Sequence, residues 1–250
     1  MIRCLLIILA FLAVASPLDA SAQVRADEPA REVEEFLDDT RSLRQTILPT
    51  LGLITLLSIA PGILMMVTCF PFITIVFSFL RQAMGLQTAP PAMMLTSLAL
   101  FLTYYIMEPV FVEAWTLGIK PAIDGDTDEI TAISLASGPF RDFMETRTNE
   151  ETLARLADAI GRPVTDVPDA EFSILIPSFM LSEITRAFQV GFAIFLPFLI
   201  IDLVVASVLM AMGMMMVPPT VVALPFKLAF FVLADGWVRI TEALLRGYIP

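Results

Sequence analysis

Thirty-four consecutive residues, Ile47 to Leu80, carry no charge, and no other feature limits the chain's possible folds so strongly. A bilayer core about 30 Å thick takes about 20 helical residues, so this run is long enough for one tilted helix or for one crossing with an extra half-segment. Pro49, Pro61 and Pro71 punctuate it and predict irregularity, because proline removes a backbone donor and clashes with the preceding turn. Further uncharged stretches run from Ala92 to Met107, from Ala187 to Ile201 and from Leu203 to Phe226, with Asp202 dividing the last two. The chain as a whole is 57% hydrophobic and 16% charged, with a mean hydropathy of +0.81, whereas soluble domains run near half apolar and about a quarter charged. The excess must face lipid or a partner. In lipid the backbone has to satisfy its own polar groups, which predicts an all-α membrane protein of kinked helical hairpins.

The polar segments organise the rest. Met1 to Ala22 reads as a secretory signal peptide, with Arg3 ahead of an apolar run from Cys4 to Ala15, a break at Pro17, and Ala20 and Ala22 as the small residues of the cleavage site. The mature chain would start near Gln23. Residues 23–46 form a polar, acidic arm, and 47–107 hold the first pair of apolar segments, joined by a short link through Arg81, Gln82, Gly85, Pro90 and Pro91. Glu108 and Pro109 mark the end of that pair. Residues 108–171 carry fourteen acidic against five basic side chains, a local charge of −9, and must face water. Within them Phe140, Phe143, Met144, Leu153, Leu156 and Ala157 recur at three- and four-residue spacing, predicting one or two amphipathic helices packed on the membrane part. Residues 172–250 form the second apolar hairpin, turning between Gly213 and Pro219. From an exterior N-terminus this gives four crossings, with the acidic domain and the C-terminus outside.

Several functions are excluded by what is absent from the sequence. It has no histidine and two cysteines, Cys4 and Cys69, so the usual general base, most catalytic zinc sites and any disulfide framework are ruled out. No nucleophile elbow, zincin motif, phosphate loop or intramembrane aspartyl-protease element is present, and no metal or cofactor site is expected. The net charge of −11 disfavours nucleic acid, which needs clustered Lys and Arg. What remains is a binding or conduit role without catalysis.

Ionisable residues within apolar segments are costly and are functional candidates by default. Here they are Glu183, Arg186, Asp202, Lys227 and Asp235. Their carboxylates could relay protons in a transporter, or the charges could pair to hold helices or subunits together; pairing is the expectation. Arg186 lies one helical turn after Glu183. Lys227 has no opposite charge at helical spacing, so its partner must come from another segment or another copy, and Glu183 of a neighbouring subunit is one such partner. Met210, Met212, Met214, Met215 and Met216 crowd seven positions ahead of Pro218 and Pro219. Methionine is flexible and polarisable, so this turn reads either as a gasket around an irregular space or as a lipid-embedded turn.

Phe188-Gln189-Val190-Gly191-Phe192, the run Phe195 to Val204, Gly213-Met214-Met215-Met216-Val217-Pro218-Pro219 and Leu224-Pro225-Phe226-Lys227-Leu228 closely resemble the FliP/SctR family of type III secretion export-gate subunits. Leu80-Arg81-Gln82-Ala83-Met84-Gly85, Ala89-Pro90-Pro91 and Met107-Glu108-Pro109-Val110 fit the same family, and the likeness spans about Leu51 to Trp237. Thr68-Cys69-Phe70-Pro71-Phe72 departs from it, standing where relatives commonly carry a serine or threonine and an arginine. The signal peptide and acidic arm resemble the flagellar branch more than the injectisome branch. The resemblance implies a homo-oligomer, a pentamer, that winds together with FliQ- and FliR-like subunits and works with FlhA- and FlhB-like components. It would form the pore through which unfolded flagellar proteins cross the bacterial inner membrane at the flagellar basal body, with the acidic domain periplasmic. It further implies that Met214, Met215 and Met216 ring the pore, that Pro61, Pro71, Pro197 and Pro225 bend the helices, and that much of the complex stands above the bilayer plane. The competing reading is a proton-coupled transporter using Asp202 and Asp235.

Overall fold

A computed structural model describes residues 54–55, 58–59, 61–86, 90–162, 164, 166–214 and 216–248. The leader with Ala20 and Ala22, the acidic arm and Met215 lie outside the described residues. Contacts divide the chain after Ser58. Ahead of the division the Ser58 hydroxyl donates to the Ile54 carbonyl at 2.7 Å; the core helices belong to the unit Ile59–Pro250.

Among the described residues of this unit there are helices and no strands. Residues 61–66 are helical, and the chain turns at Val67, Thr68 and Cys69 before α1, Phe70–Ala83, with Pro71 in its first turn where the missing N–H costs nothing. The long uncharged run is therefore interrupted. α1 alone, at 14 residues, is roughly 21 Å long, short of a bilayer core. α2 is Ala92–Ala114 and continues through a π-helical turn, Trp115–Ile119, into α3, Lys120–Asp124. The end expected at Glu108 and Pro109 is not an end: the helix passes through both, Pro109 lying inside it. α4, Glu129–Arg147, and α5, Glu150–Ala159, are the helices of the acidic segment; α5 is amphipathic, whereas α4 leaves Ile130 and Ile133 exposed. Asp128 caps α4 by accepting from the Thr131 N–H, and Asn149 caps α5 by accepting from the Thr152 N–H.

α6, Phe172–Ala211, is one 40-residue helix that carries Pro177 and Pro197 inside it. At 1.5 Å per residue it is about 60 Å long, twice a bilayer core. α7, Pro219–Leu233, returns beside it, and α8, Gly236–Arg246, leaves α7 at a 59° bend. By length and composition Ala92–Asp124 and Phe172–Ala211 can each cross a membrane, and the bent pair α7–α8 makes a third. Much of the first of the four expected crossings lies outside the described residues. The sharp bend also falls away from the prolines: it sits at Asp235, whose φ of 50° is the left-handed conformation.

Register follows from the side-chain contacts. Phe79 of α1 packs on Phe188 and against Gly191 of α6, while farther along both helices Ala83 is linked through Lys227 to Asp202. α1 and α6 therefore run side by side in the same direction. α7 runs opposite, since Phe198 meets Phe230 and Phe231 while Asp202 meets Lys227. A Cβ on Gly191 would lie 2.4 Å from the Phe79 ring, so only glycine admits this close approach. The main core gathers Phe72, Ile73, Val76, Phe77 and Leu80 of α1 between Ala99, Leu102 and Met107 of α2, Ala187 and Phe198 of α6, and Phe231 of α7. A second core joins the acidic segment to the start of α6 through Met144, Leu153, Ala157, Ile174, Leu175 and Phe179.

Hydroxyls in the apolar helices bond back to their own backbone. Ser78 donates to Thr74, Thr103 to Ala99, Ser182 to Ser178 and Ser207 to Leu203, all carbonyls one turn earlier. That is how these helices keep polar residues on surfaces where no water competes.

Candidate functional site

Among the described residues, much of the surface of α6 is left uncovered. Only 11% of its most apolar 18-residue window is buried, against 33% for α2 with α3. Phe188, Phe192, Leu196, Leu199 and Leu203 are all exposed and recur at three- and four-residue spacing, one continuous apolar stripe. A patch of this extent on a monomer marks a lipid or protein contact.

The methionine turn lies at the end of this stripe. α6 stops at Gly213, φ 74°, where the Met214 N–H donates to the Leu209 carbonyl and the Gly213 N–H to Met210, both at 3.0 Å. This pair of hydrogen bonds closes the helix and needs a residue free to adopt positive φ. Pro218 and Pro219 then start α7 with a preset φ. Around this turn Met210, Met212, Met214 and Met216 are exposed, Met216 at 97%. The turn thus presents flexible thioethers outward from a backbone anchored on both sides.

Lys227 and Asp202 meet across the α6–α7 hairpin. The lysine Nζ is 2.6 Å from Asp202 Oδ2 and also donates to the Ala83 carbonyl at 3.0 Å. The ammonium neutralises a carboxylate and, in the same place, caps the C-terminal end of α1, where the helix carbonyls and dipole favour a cation. Side-chain exposure is 8% for Lys227 and 30% for Asp202. The partner does come from another segment, and it lies within the same chain. Asp202 Oδ1 is buried without a hydrogen bond among the described residues, so the pair is not fully satisfied.

Glu183 is fully buried and forms a second centre. Arg186 approaches it at 3.3 Å from one turn along α6, and the Arg147 Nε of α4 lies 3.5 Å away. The Tyr248 hydroxyl donates to its other oxygen. Burial, and then the neighbouring carboxylate, raise the tyrosine's pKa well above its ordinary value, which keeps the hydroxyl protonated as a donor. Glu183 and Lys227 are not brought together within the chain; each finds its opposite charge elsewhere in it. Asp235 is exposed at the α7–α8 bend and makes no ion pair among the described residues. What it contributes is a left-handed backbone, which aspartate tolerates better than most residues.

Arg147, Tyr248 and the Ala83 carbonyl were not legible as site groups. Arg147 reads as the favourable last-turn cation of α4, and Tyr248 as a residue near the end of the chain. Among the described residues no three metal-ligating side chains converge.

The sequence profile of the FliP family matches residues 53–244. The flagellar biosynthetic protein FliP of Agrobacterium fabrum is 47% identical over 210 residues, covering 83% of this chain and 86% of the relative. The Rhizobium meliloti protein of the same name is 47% identical over 211 residues with the same coverage. That of Bacillus subtilis is 44% identical over 198 residues, 78% of this chain and 89% of its own length.

Proposed function

The chain belongs to the FliP family, and on that premise we propose that it is the pore-forming core subunit of a flagellar type III protein export gate. Identical copies, five by family resemblance, assemble with FliQ- and FliR-like subunits and receive cargo through FlhA- and FlhB-like components. Unfolded flagellar proteins pass along the axis across the inner membrane at the basal body, and the acidic domain lies on the periplasmic side. The subunit performs no catalysis; its partners supply the energy.

The observation that carries this reading is the unpartnered apolar stripe of α6, which ends in a turn of exposed methionines. From Phe188 to Leu203 the stripe is about 24 Å long, and on this reading neighbouring copies cover it. The turn at its end then gathers thioethers from every copy around one axis. Thioethers can pack against one another to exclude ions and can yield to a passing chain, because each has several soft torsions and no fixed shape. Met214, Met215 and Met216 are the proposed gasket. The pairs Lys227–Asp202 and Glu183–Arg186 stiffen each subunit so that opening bends the ring and does not dissociate it.

The transporter reading has less support. Asp202 is already held by a lysine at 2.6 Å, and Asp235 sits at an exposed bend. Replacing Met214, Met215 and Met216 together by alanine tests the gasket. The complex should still assemble, and the cells should leak small ions in proportion to its expression. Unchanged permeability with normal assembly would remove the gasket role.

A further inference from the structure

α1 carries one polar stripe on an otherwise apolar helix: Thr74, Ser78, Arg81 and Gln82 recur at three- and four-residue spacing, which puts them on one face. That face borders two cavities. An outer groove of about 920 Å³ runs between Ser78, Arg81 and Gln82 of α1 and Thr220, Val221 and Leu224 of α7, with Leu86 beside them. An inner cavity of about 70 Å³ lies between α1 and α2, reaching from Ser78 and Arg81 in to Thr74 and Thr96. Ser78 and Arg81 line both. The hydroxyls of Ser78 and Thr96 already donate to the Thr74 and Ala92 carbonyls of their own helices, at 2.8 and 3.0 Å. Thr74 Oγ1 differs from them: it is buried and makes no hydrogen bond among the described residues. Its hydroxyl and the Arg81 guanidinium are the donors offered to a ligand. A guanidinium has five N–H groups, enough to serve a protein contact and a ligand together.

We propose that this face of α1 binds a phospholipid with an anionic headgroup, its phosphate against Arg81 and its acyl chains leaving along the apolar wall of the groove. Three features select that ligand. The groups on offer are donors and one of them is a cation, so the ligand must accept hydrogen bonds and carry negative charge. Among the described residues no carboxylate lines either cavity, so nothing there receives the ammonium of a zwitterionic headgroup. Leu86, Val221 and Leu224 supply the rest of the groove, a surface that hydrocarbon gains by covering and that free phosphate does not. The depth agrees with this choice. Exposed apolar residues of α6 run from Phe188 to Met210, about 34 Å of helix and close to one hydrocarbon core. Val221 and Leu224 come between the turn and Lys227, which pairs with Asp202, so the groove opens at the turn end of that span, where a bilayer places its phosphates. An arginine there lays its stem on apolar surface and brings its charge to the headgroups. Both cavities lie within one chain, so the site does not depend on the gate.

Native mass spectrometry of the full-length protein in detergent, with phosphatidylglycerol or phosphatidylcholine added, tests this. The parent should hold phosphatidylglycerol about tenfold more tightly than phosphatidylcholine, the factor that one charge-assisted hydrogen bond supplies. Arg81→Gln should abolish the preference, and Arg81→Lys, which keeps the charge, should retain part of it. Thr74→Val keeps the side chain's shape and loses its donor, so it should weaken phosphatidylglycerol about threefold and leave phosphatidylcholine unchanged. Inorganic phosphate should not displace the bound lipid. Equal binding of the two lipids by the parent would overturn the proposal without any variant. So would full phosphatidylglycerol affinity in Arg81→Gln, or displacement of the lipid by inorganic phosphate, which would make the groove a free-anion site. Thr74→Val that melts higher than the parent and binds both lipids as the parent does would overturn the part given to the inner cavity.

Discussion

Replacing Lys227 by methionine removes a charge and leaves the side chain's length nearly intact, so it isolates the polar part of the α1–α6–α7 junction. Two groups lose their partner: the Asp202 carboxylate, 2.6 Å from the ammonium, and the Ala83 carbonyl, 3.0 Å from it. Stripping one partner from a buried pair costs about 3–5 kcal/mol. Asp202 is 30% exposed and recovers some hydration, which lowers the expected loss to roughly 3 kcal/mol after discounting for solvent. For a chain of this size about 1 kcal/mol moves the midpoint by 2–4 °C, so thermal unfolding followed by helical circular dichroism in detergent should shift down by roughly 6–12 °C. The companion variant, Lys227→Met with Asp202→Leu, removes both charges. It should recover to within about 1 kcal/mol of the parent, because an apolar pair of similar volume replaces an ion pair at little net cost. A single variant as stable as the parent, or a double variant no better than the single, would refute the argument that a stranded carboxylate dominates.

Three further outcomes follow from local geometry. Gly191→Ala places a methyl 2.4 Å from the Phe79 ring; such overpacking costs about 1–3 kcal/mol, read as a lower Tm, and adding Phe79→Leu should restore most of it. Asp235→Gly should be neutral or stabilising and Asp235→Val should lose roughly 1–2 kcal/mol in the same melt, because the left-handed conformation at φ 50° is strained for a branched side chain. Asp128→Ala should fray the start of α4, seen as faster exchange of the Thr131 amide. The hydrogen bond from Thr131 holds the Asp128 carboxyl below its usual pKa, so the cap's contribution is present above the unfolded value near 4 and lost as pH falls through the folded one. Parent and variant should therefore converge in acid.

Hydropathy alone located the elements that face lipid, since uncharged runs of this length have few other fates. It misplaced their ends. Glu108 and Pro109 look like a boundary, yet a helix already formed on both sides carries a proline through, and α2 runs on to Ala114. α6 begins at Phe172, the residue from which the second apolar hairpin was read, and its first fifteen residues precede the uncharged run. Glu183 and Arg186 were readable as a pair because helical spacing is local. Lys227 could be said to need a partner elsewhere, but a hairpin register is required to select Asp202. Arg147 and Tyr248 carry no periodic relation to Glu183, so nothing short of the tertiary fold brings them there. Asp235 was read as a charge in an apolar segment, and its structural part is a backbone bend. The methionine turn was legible as a cluster, and its exposure at the end of an uncovered stripe is what the fold added.

On the proposed function, the exposed stripe of α6 is covered by further copies of this chain and by FliQ- and FliR-like partners. The direct measurement is the mass of the detergent-extracted complex, purified through a tag on this chain after co-expression with its neighbouring export genes. The expected result is one discrete assembly holding several copies of this subunit together with the smaller partners. A lone monomer or dimer, free of those partners and stable in the same detergent, would contradict it.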